Sequence, residues 1–265
     1  MTQIILQNIF QDYANGKESV RVIDDLSLTI DGPSINMLLG PSGCGKSTLL
    51  RMMGGVRPQS VKSPTAGNVF VDGKVVIDQL DEAITVFQKY SNRPDLTARQ
   101  NVEFPFTLKL YKNTCTKAEL KAKVDEMLEA VGLTDKQHLY PYQLSGGQQQ
   151  RIAIATALVL RPKILLMDEP FGALDPQTRE GMQKLLVKLY TDLQCTIIFV
   201  THDIDEAVTV GDRIIMMSSH PGKIADDFTI ANPRPVRSTE WLRTGDGVQY
   251  YQRIARLLKK SELSL

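Results

Sequence analysis

The sequence predicts an α/β fold that combines a parallel-sheet core, an antiparallel β subdomain and an inserted α-helical subdomain. The core is indicated by apolar runs at 163–167 and 196–200 that bracket a helical segment at 176–193, an order typical of a parallel sheet. The β subdomain is indicated by strand-like segments that follow one another closely within residues 4–30. The helical subdomain is indicated by residues 98–160, where strand signals are scarce and the apolar spacing is helical.

The individual elements follow from short apolar runs and turn signals. A helix is expected to begin at about residue 45, directly after a buried strand, and to end at about residue 53. Asp72-Gly73 between two strand-like runs is a strong hairpin signal. A basic, amphipathic helix is expected at 245–260. The other expected strands are 4–9, 19–23, 26–30, 35–39, 69–71, 74–76 and 85–88, and the other expected helices are 117–131 and 147–160.

The charge balance and the cysteines exclude several classes of protein. The chain has 265 residues, with 31 basic and 30 acidic side chains and a net charge of +1, so no overall field attracts nucleic acid or anionic lipid. Cys44, Cys115 and Cys195 are few and widely spaced, which fits neither a disulfide framework nor a zinc site. The N-terminus lacks a basic region followed by a long apolar run. We therefore expect a protein of a reducing cytosol that is neither exported nor membrane-spanning.

The segment 40–48, GPSGCGKST, fits the phosphate-loop pattern G-x-x-x-x-G-K-[ST] between a predicted strand and a predicted helix. Glycines let backbone N–H groups converge on phosphate oxygens, and the helix start adds positive potential. Lys46 is expected to reach the β and γ phosphates, and Ser47 to bind magnesium. A glycine-rich turn that only caps a helix is disfavoured by a lysine and a serine in register. The residues expected to contact the nucleotide are Gly40, Pro41, Ser42, Gly43, Cys44, Gly45, Lys46, Ser47 and Thr48.

Two adjacent acids end an apolar strand at 164–169, ILLMDE. The carboxyl end of a parallel strand faces the ligand crevice, so Asp168 is expected to hold magnesium and Glu169 to accept a proton from the attacking water. The alternative is an acidic pair that caps the helix after Pro170. His202 follows the strand at 196–200, where an imidazole can hydrogen-bond the γ-phosphate or orient the water; taken alone, a capping or packed histidine fits as well.

The segment 144–151, LSGGQQQR, stands between the phosphate loop and the acidic strand end. With it, the set of motifs resembles the nucleotide-binding subunit of ABC transporters, because other phosphate-loop proteins such as GTPases lack LSGGQ. The resemblance covers most of the chain and implies a P-loop NTPase core of the RecA-like type. It also implies that Ser145, Gly146, Gly147 and Gln148 meet the ATP held by a second copy in a head-to-tail dimer. A helix that is only capped by its serine also fits this segment.

The resemblance extends to other positions one by one. Gln88 of VFQ resembles the glutamine that senses magnesium and the transport partner, and it is expected to contact ATP and the metal. Asp175 of GALD resembles the acid at the dimer seam, and His202 of VTHD resembles the switch histidine. Tyr13 occupies the place where the family stacks an aromatic ring on adenine, although Phe10 is nearby. ATP and Mg²⁺ are the implied cofactors.

The same resemblance divides the chain as a single ATPase domain. The nucleotide-binding core with its β subdomain is expected at 1–88 and 161–230, the helical subdomain with the signature motif at 89–160, and a tail at 231–265. Because few residues follow residue 230, we do not expect control by a β-rich regulatory domain such as that of sugar-importer ATPases. Its basic side chains suit either an anionic membrane surface or a solvated helix face.

Several segments resemble the nitrate, sulfonate and taurine importer group, among them VFQKYS, MDEPFGALD and THDIDEA. The resemblance implies an ATPase bound to the cytoplasmic face of the membrane, with separate permease subunits and a substrate-binding protein as partners and with no nucleic acid. Asp95 departs from the group, which usually has an aromatic residue there, and is either part of a different partner surface or a solvated loop acid. The alternatives are a non-transport ABC ATPase and the motor of a lipid or drug exporter.

Overall fold

The computed structural model describes residues 2–15, 18–56, 63–87, 92–112, 114–219, 221–234, 237 and 239–262. These residues form ten strands and eight α-helices. The strands are β1 Gln3–Asn15, β2 Glu18–Asp31, β3 Ile35–Leu39, β4 Ala66–Val71, β5 Lys74–Val75, β6 Ala83–Val86, β7 Ile164–Asp168, β8 Thr196–Val200, β9 Arg213–Met217 and β10 Ile224–Thr229. The helices are α1 Lys46–Met53, α2 Ala98–Glu103, α3 Lys117–Ala130, α4 Gly146–Leu158, α5 Pro176–Leu193, α6 Ile204–Val210, α7 Thr239–Arg243 and α8 Gly245–Glu262.

The chain divides into two compact units, Met1–Ala83 with Thr196–Leu265 and Ile84–Cys195. In the first unit, β2, β1, β4 and β5 form an antiparallel sheet in that order. The other strands of this unit follow the order β10, β9, β3, β8, with β3 parallel to both β8 and β9. The predicted parallel core is therefore present, and the predicted antiparallel opening forms a sheet of its own.

The opening strands are longer than expected. The two predicted strands at 19–23 and 26–30 are one strand, β2, which pairs with β1 along its length. Asp25 has a φ of 49°, and the pairing register shifts between Ile9 and Gln11 of β1. The polar pair that interrupts the apolar pattern therefore marks a β-bulge rather than a turn.

The hairpin predicted at Asp72-Gly73 is confirmed. The residues join β4 to β5 and have φ values of 49° and 76°. Positive φ at both central positions is the requirement of a tight two-residue hairpin turn.

Buried strands form the core of the first unit. Every residue of β3 and of β8 is buried, and Met37 and Phe199 are fully enclosed. Burying one such side chain contributes about 1.5–3 kcal/mol. Strands buried on both faces lack an alternating pattern, which is why these two segments read as continuous apolar runs.

The second unit contains α2 to α5 with β6 and β7. Threonine side chains cap α2 at Thr97 and α3 at Thr116, each as part of a capping box. β7 is buried along Ile164–Met167, and only its last residue, Asp168, is partly exposed. This unit carries the helices predicted at 117–131, 147–160 and 176–193, whereas those predicted at 45–53 and 245–260 lie in the first unit.

The tail packs on α6. Arg237 is 8% exposed, and its guanidinium donates to the backbone oxygens of Gly211, Asn232 and Ile230. Arg253 lies 4.0 Å over the ring of Phe228 and forms an ion pair of 2.6 Å with Asp226. Among the described residues, no helix is long and apolar enough to cross a membrane.

Candidate nucleotide-binding site

The phosphate loop connects β3 to α1 in the first unit. Gly45 immediately precedes the helix and has a φ of 101°, a conformation that glycine adopts without strain. A methyl group at Gly45 would lie 2.9 Å from Cγ1 of Ile23. Both the backbone conformation and the close approach of β2 therefore require glycine here.

The start of α1 differs from the starts of α2 to α6 because no side chain caps it. An uncapped helix start leaves backbone N–H groups for an anion. Five other helices receive a side-chain cap, from Thr97, Thr116, Ser145, Asp175 and Asp203. The contrast supports phosphate binding at α1.

Lys46 is 7% exposed, and its ammonium group is bonded within its own loop. Its Nζ donates to the carbonyl oxygens of Gly40, at 2.7 Å, and of Pro41, at 2.9 Å. These neutral acceptors can be exchanged for phosphate oxygens, which form stronger charge-assisted hydrogen bonds. The backbone of the loop thus holds the ammonium group of Lys46 in place.

Tyr13 lies beside the phosphate loop. Its hydroxyl is 3.3 Å from Oγ1 of Thr48. The ring of Phe10, the competing aromatic residue, instead faces the guanidinium of Arg21 at 5.2 Å. This arrangement favours Tyr13 as the aromatic residue next to the nucleotide.

The acidic pair lies at the end of β7 in the second unit. Asp168 is the last residue of the strand, and Glu169 follows with a φ of 45°. A glutamate rarely adopts left-handed backbone, and such conformations cluster at functional sites. The helix-cap alternative is not supported, because α5 begins only at Pro176 and is capped by Asp175.

His202 follows β8 and is exposed. The polar residues on either side of it bind to α6. Asp203 caps this helix by accepting from the N–H of Glu206 at 3.0 Å, and Thr201 donates to the buried carboxylate of Glu206. Asp203 and not His202 is therefore the helix cap, and the imidazole of His202 is exposed in the first unit.

The signature segment begins α4. Ser145 caps the helix by accepting from the N–H of Gln148 at 3.4 Å, and the side chain of Gln148 accepts from the N–H of Ser145 at 3.0 Å. The structural alternative, a serine cap, is thus present, and it is compatible with anion binding. Gly146 is the first helical residue.

Gly147 and Asp175 both lie next to Thr178, a residue that the sequence does not mark as functional. A methyl group at Gly147 would lie 2.3 Å from Cγ2 of Thr178, so the glycine allows α4 to pack closely on α5. Asp175 accepts from the N–H of Thr178 at 3.0 Å. Hydrogen bonding by the side chain of Thr178, followed by its backbone N–H, lowers the pKa of this carboxyl group. No sequence signal marks Thr178, because its role depends on a tertiary contact.

Two remaining predictions concern the loops of the second unit. Gln88 lies outside the described residues. Asp95 forms an ion pair with Arg93 at 3.0 Å, and this pairing lowers the pKa of Asp95. Because both side chains are about half exposed, the contact fits a solvated loop acid.

The loop, the uncapped helix behind it and the apolar strand that ends in two acids define a phosphate-loop nucleotide-binding protein of the α/β class. The ABC transporter family matches residues 23–172, and the chain belongs to this family. It is an ABC-type ATPase, as the sequence predicts.

Known relatives agree with this assignment. The chain is 40% identical to the bicarbonate transport ATP-binding protein CmpD of Synechocystis sp., over 88% of this chain and 80% of that protein. It is 41% identical to the nitrate import ATP-binding protein NrtD of Synechocystis sp., over 83% and 80% of the two chains. The ATP-binding cassette MJ0796, solved as a dimer bound to ADP and Pi, matches with a TM-score of 0.73 and 34% identity, over 87% of this chain and 100% of that one.

We predict that Cys44 reacts with iodoacetamide more slowly than Cys115 and that its labelling increases at alkaline pH. Cys44 is fully buried, and burial raises the pKa of its thiol; the reactive thiolate therefore forms only at higher pH. Cys115 is partly exposed. Mass spectrometry of single-cysteine variants across the pH range measures both rates, and ATP should protect Cys44 alone.

Cys195 serves as the control for a buried cysteine that lies outside the phosphate loop, so ATP should not change its labelling. It is also buried, and its pKa is raised to about 11. Equal labelling rates of Cys44 and Cys115 at neutral pH would contradict the prediction.

Proposed function

We propose that this chain is the ATP-hydrolysing subunit of an importer for a small anion such as nitrate or bicarbonate, with sulfonates or taurine as further candidates. The observation that carries the proposal is the alignment with a nitrate import protein and a bicarbonate transport protein over at least 80% of either length. In this proposal the transported anion never enters the chain. The chain supplies force through ATP binding and hydrolysis.

Phosphate binding is assigned to the loop and to Lys46. The lysine exchanges two carbonyl oxygens of its own loop for the β and γ phosphates, while N–H groups at the start of α1 hold the same anion. Tyr13, beside Thr48, stacks on adenine. The burial of Lys46 favours this exchange, because charge-assisted bonds are stronger away from water.

Hydrolysis is assigned to Glu169, with His202 orienting the attacking water or bonding the γ-phosphate. The water oxygen attacks the γ-phosphorus, its proton passes to the carboxylate of Glu169, and the bond to the β-phosphate oxygen breaks to release ADP. The left-handed backbone of Glu169 supports this role, since such conformations cluster at functional sites.

The residues expected to hold magnesium fit that ion. Ser47 supplies a hydroxyl oxygen and Asp168 a carboxylate oxygen, and both side chains are partly exposed; Gln88 completes the predicted set. Magnesium prefers such hard oxygen ligands together with water and phosphate oxygens. When bound, the ion would neutralise charge on the β and γ phosphates.

A head-to-tail dimer completes the proposed enzyme. Ser145 to Gln148 of one copy would cover the γ-phosphate bound by the other copy, and Asp175 would lie at the seam. The dimeric cassette MJ0796 supports this arrangement. Closure of the dimer on ATP would move separate permease subunits at the cytoplasmic face of the membrane, and a substrate-binding protein would deliver the anion.

We predict that Glu169→Gln keeps ATP binding, lowers kcat by about a hundredfold or more and accumulates an ATP-bound dimer. The amide cannot accept the proton, and general-base catalysis contributes about 10²–10⁴ in rate. Steady-state ATPase assays and size-exclusion chromatography with ATP measure both effects.

Two variants control this experiment. Lys46→Ala should lose ATP binding itself. Glu180→Gln changes the same side-chain type on α5, where Glu180 forms an ion pair with the exposed side chain of Lys184, and turnover should stay at the wild-type rate. Near-normal turnover of Glu169→Gln would refute the general-base assignment.

We predict that Ser145→Arg blocks hydrolysis while each monomer still binds ATP. The larger cation obstructs the site offered to the second copy, and the phosphate loop of its own copy is unchanged. Thr116→Arg is the matched control, since it removes an equivalent hydroxyl cap from α3 and should hydrolyse ATP normally. Loss of ATP affinity in Ser145→Arg at monomer concentrations would contradict the trans role.

The transport assignment is tested by purifying the tagged protein from membranes in mild detergent. We expect a multispanning subunit to copurify, and we expect the gene neighbourhood to encode a periplasmic binding protein. Recovery of ribosomes or nucleic acid in its place would favour a non-transport ATPase, and a neighbourhood without a binding protein would favour export.

A further inference from the structure

We propose that the turn between β9 and β10 supports the phosphate loop from behind and sets its affinity for the phosphates of ATP, with Gly222 as the positioning residue. This β9–β10 turn comprises residues 218–223, of which residue 220 lies outside the described part of the chain. The inference rests on the proposed role of the phosphate loop as the ATP site. It assigns a role to a segment that carries no recognised nucleotide-binding motif.

The turn and the end of β9 before it approach the phosphate loop at one place each. A methyl group on Gly222 would lie 2.1 Å from the carbonyl oxygen of Cys44. A methyl group on Gly40 would lie 2.8 Å from the carbonyl oxygen of Met217, the last residue of β9. Cβ atoms in real proteins do not approach other atoms that closely. Gly40 therefore packs directly against the backbone of Met217, and Cys44 packs directly against Gly222.

The turn is itself held by β2. Gly222 donates its N–H to the carbonyl oxygen of Val22 at 2.8 Å and accepts from the N–H of Asp24 at 3.2 Å. Beside these backbone bonds, Lys223 forms a partly exposed ion pair with Asp24 at 2.8 Å, a kind of contact that contributes little to holding the turn. Because side chains of Val22 and Ile23 also approach Gly45, one short segment of β2 fixes both the turn and the phosphate loop.

Glycine is needed at 222 for space and not for backbone conformation. Gly222 does not have a positive φ, so alanine can adopt the same backbone angles. Its neighbours include the carbonyl oxygens of Cys44 and Val22, which belong to the backbone and cannot move aside as a side-chain tip does. An added methyl group therefore displaces the Cys44 peptide, whose loop has to aim its N–H groups at phosphate.

The test is Gly222→Ala in the full chain, with AMP-PNP and inorganic pyrophosphate as probes. We expect the Kd for both to rise about tenfold, the equivalent of one lost hydrogen bond to a charged group. Pyrophosphate isolates the phosphate contribution, because it has no adenine ring. At a temperature well below Tm, general destabilisation would lower Tm without changing either Kd.

Two variants serve as matched controls. Gly181→Ala adds the same methyl group at a site on α5 with no atom within 4 Å, and both Kd values should stay at the wild-type level. Lys223→Ala removes the neighbouring ion pair without adding an atom near Cys44, and exposed pairs contribute little, so its Kd should change by less than about twofold.

Hydrogen exchange on the wild-type protein tests the same coupling without a substitution. Binding of AMP-PNP should slow the exchange of the amides of Gly222 and Asp24, because a loop held by the nucleotide holds the turn behind it. The amide of Val76, which donates to Val69 in the antiparallel sheet at 2.8 Å, should be unaffected.

The outcomes separate this inference from the proposed function. If Lys46→Ala binds AMP-PNP as the wild type does, the loop is not the ATP site and the proposed function fails. If Lys46→Ala loses binding while Gly222→Ala keeps both Kd values, only the role of the turn is overturned. Unchanged exchange at Gly222 and Asp24 overturns it in the same way, even if Gly222→Ala does not fold.

Discussion

The first unit depends on one constraint: the backbone N–H groups of the phosphate loop must face phosphate with no side chain in between. A loop whose N–H groups point at an anion has no room for side chains on that face, and its peptide units must be held in place by other backbone. Here β2 approaches Gly45, the last residue of β9 approaches Gly40, and Gly222 in the turn after β9 approaches Cys44. The buried strands β3 and β8 hold this arrangement on a rigid base.

Structural and functional roles coincide at several positions. Ser145 and Asp175 both cap helices, and both belong to motifs that the family resemblance assigns to the dimer. Gly147 permits close packing on Thr178 in addition to its place in the signature segment. A cap or a close contact fixes the position of the very backbone that a ligand would meet, so the structural explanation of such a residue supports a functional one.

The sequence predicts the elements whose signals are local. The phosphate loop, the hairpin at Asp72-Gly73 and the buried strand before Asp168 are marked by residue types at fixed spacing, and the structure places each where it was expected. The β-bulge at Asp25 was predicted as a break between two strands, because polar residues interrupt an apolar run at a bulge as they do at a turn. Thr178, Gly222 and Arg237 carry no local signal at all, since their roles arise from contacts with residues far away in the chain.

The residue type at each helix start separates the helices that suit an anion from those that do not. Asp175 and Asp203 place a carboxylate at the starts of α5 and α6, and an acceptor-only group that already satisfies the N–H groups repels a phosphate. Gly45 leaves the start of α1 uncapped. Ser145 is intermediate, because a hydroxyl accepts from the backbone and can donate to a phosphate oxygen at the same time.

The cap bond of Ser145 is also long, at 3.4 Å compared with 3.0 Å for Asp175. A hydrogen bond beyond the usual range is weak, so redirecting the serine hydroxyl costs little. The threonine caps of α2 and α3 are nearly as long, at 3.3 Å. Of the three capped helices that begin at a predicted motif, α4, α5 and α6, only α4 is capped by a hydroxyl group and not by a carboxylate. In the proposed head-to-tail dimer, the uncapped start of α1 would bind the phosphates of ATP in its own copy, and the start of α4 would meet the γ-phosphate held by the other copy.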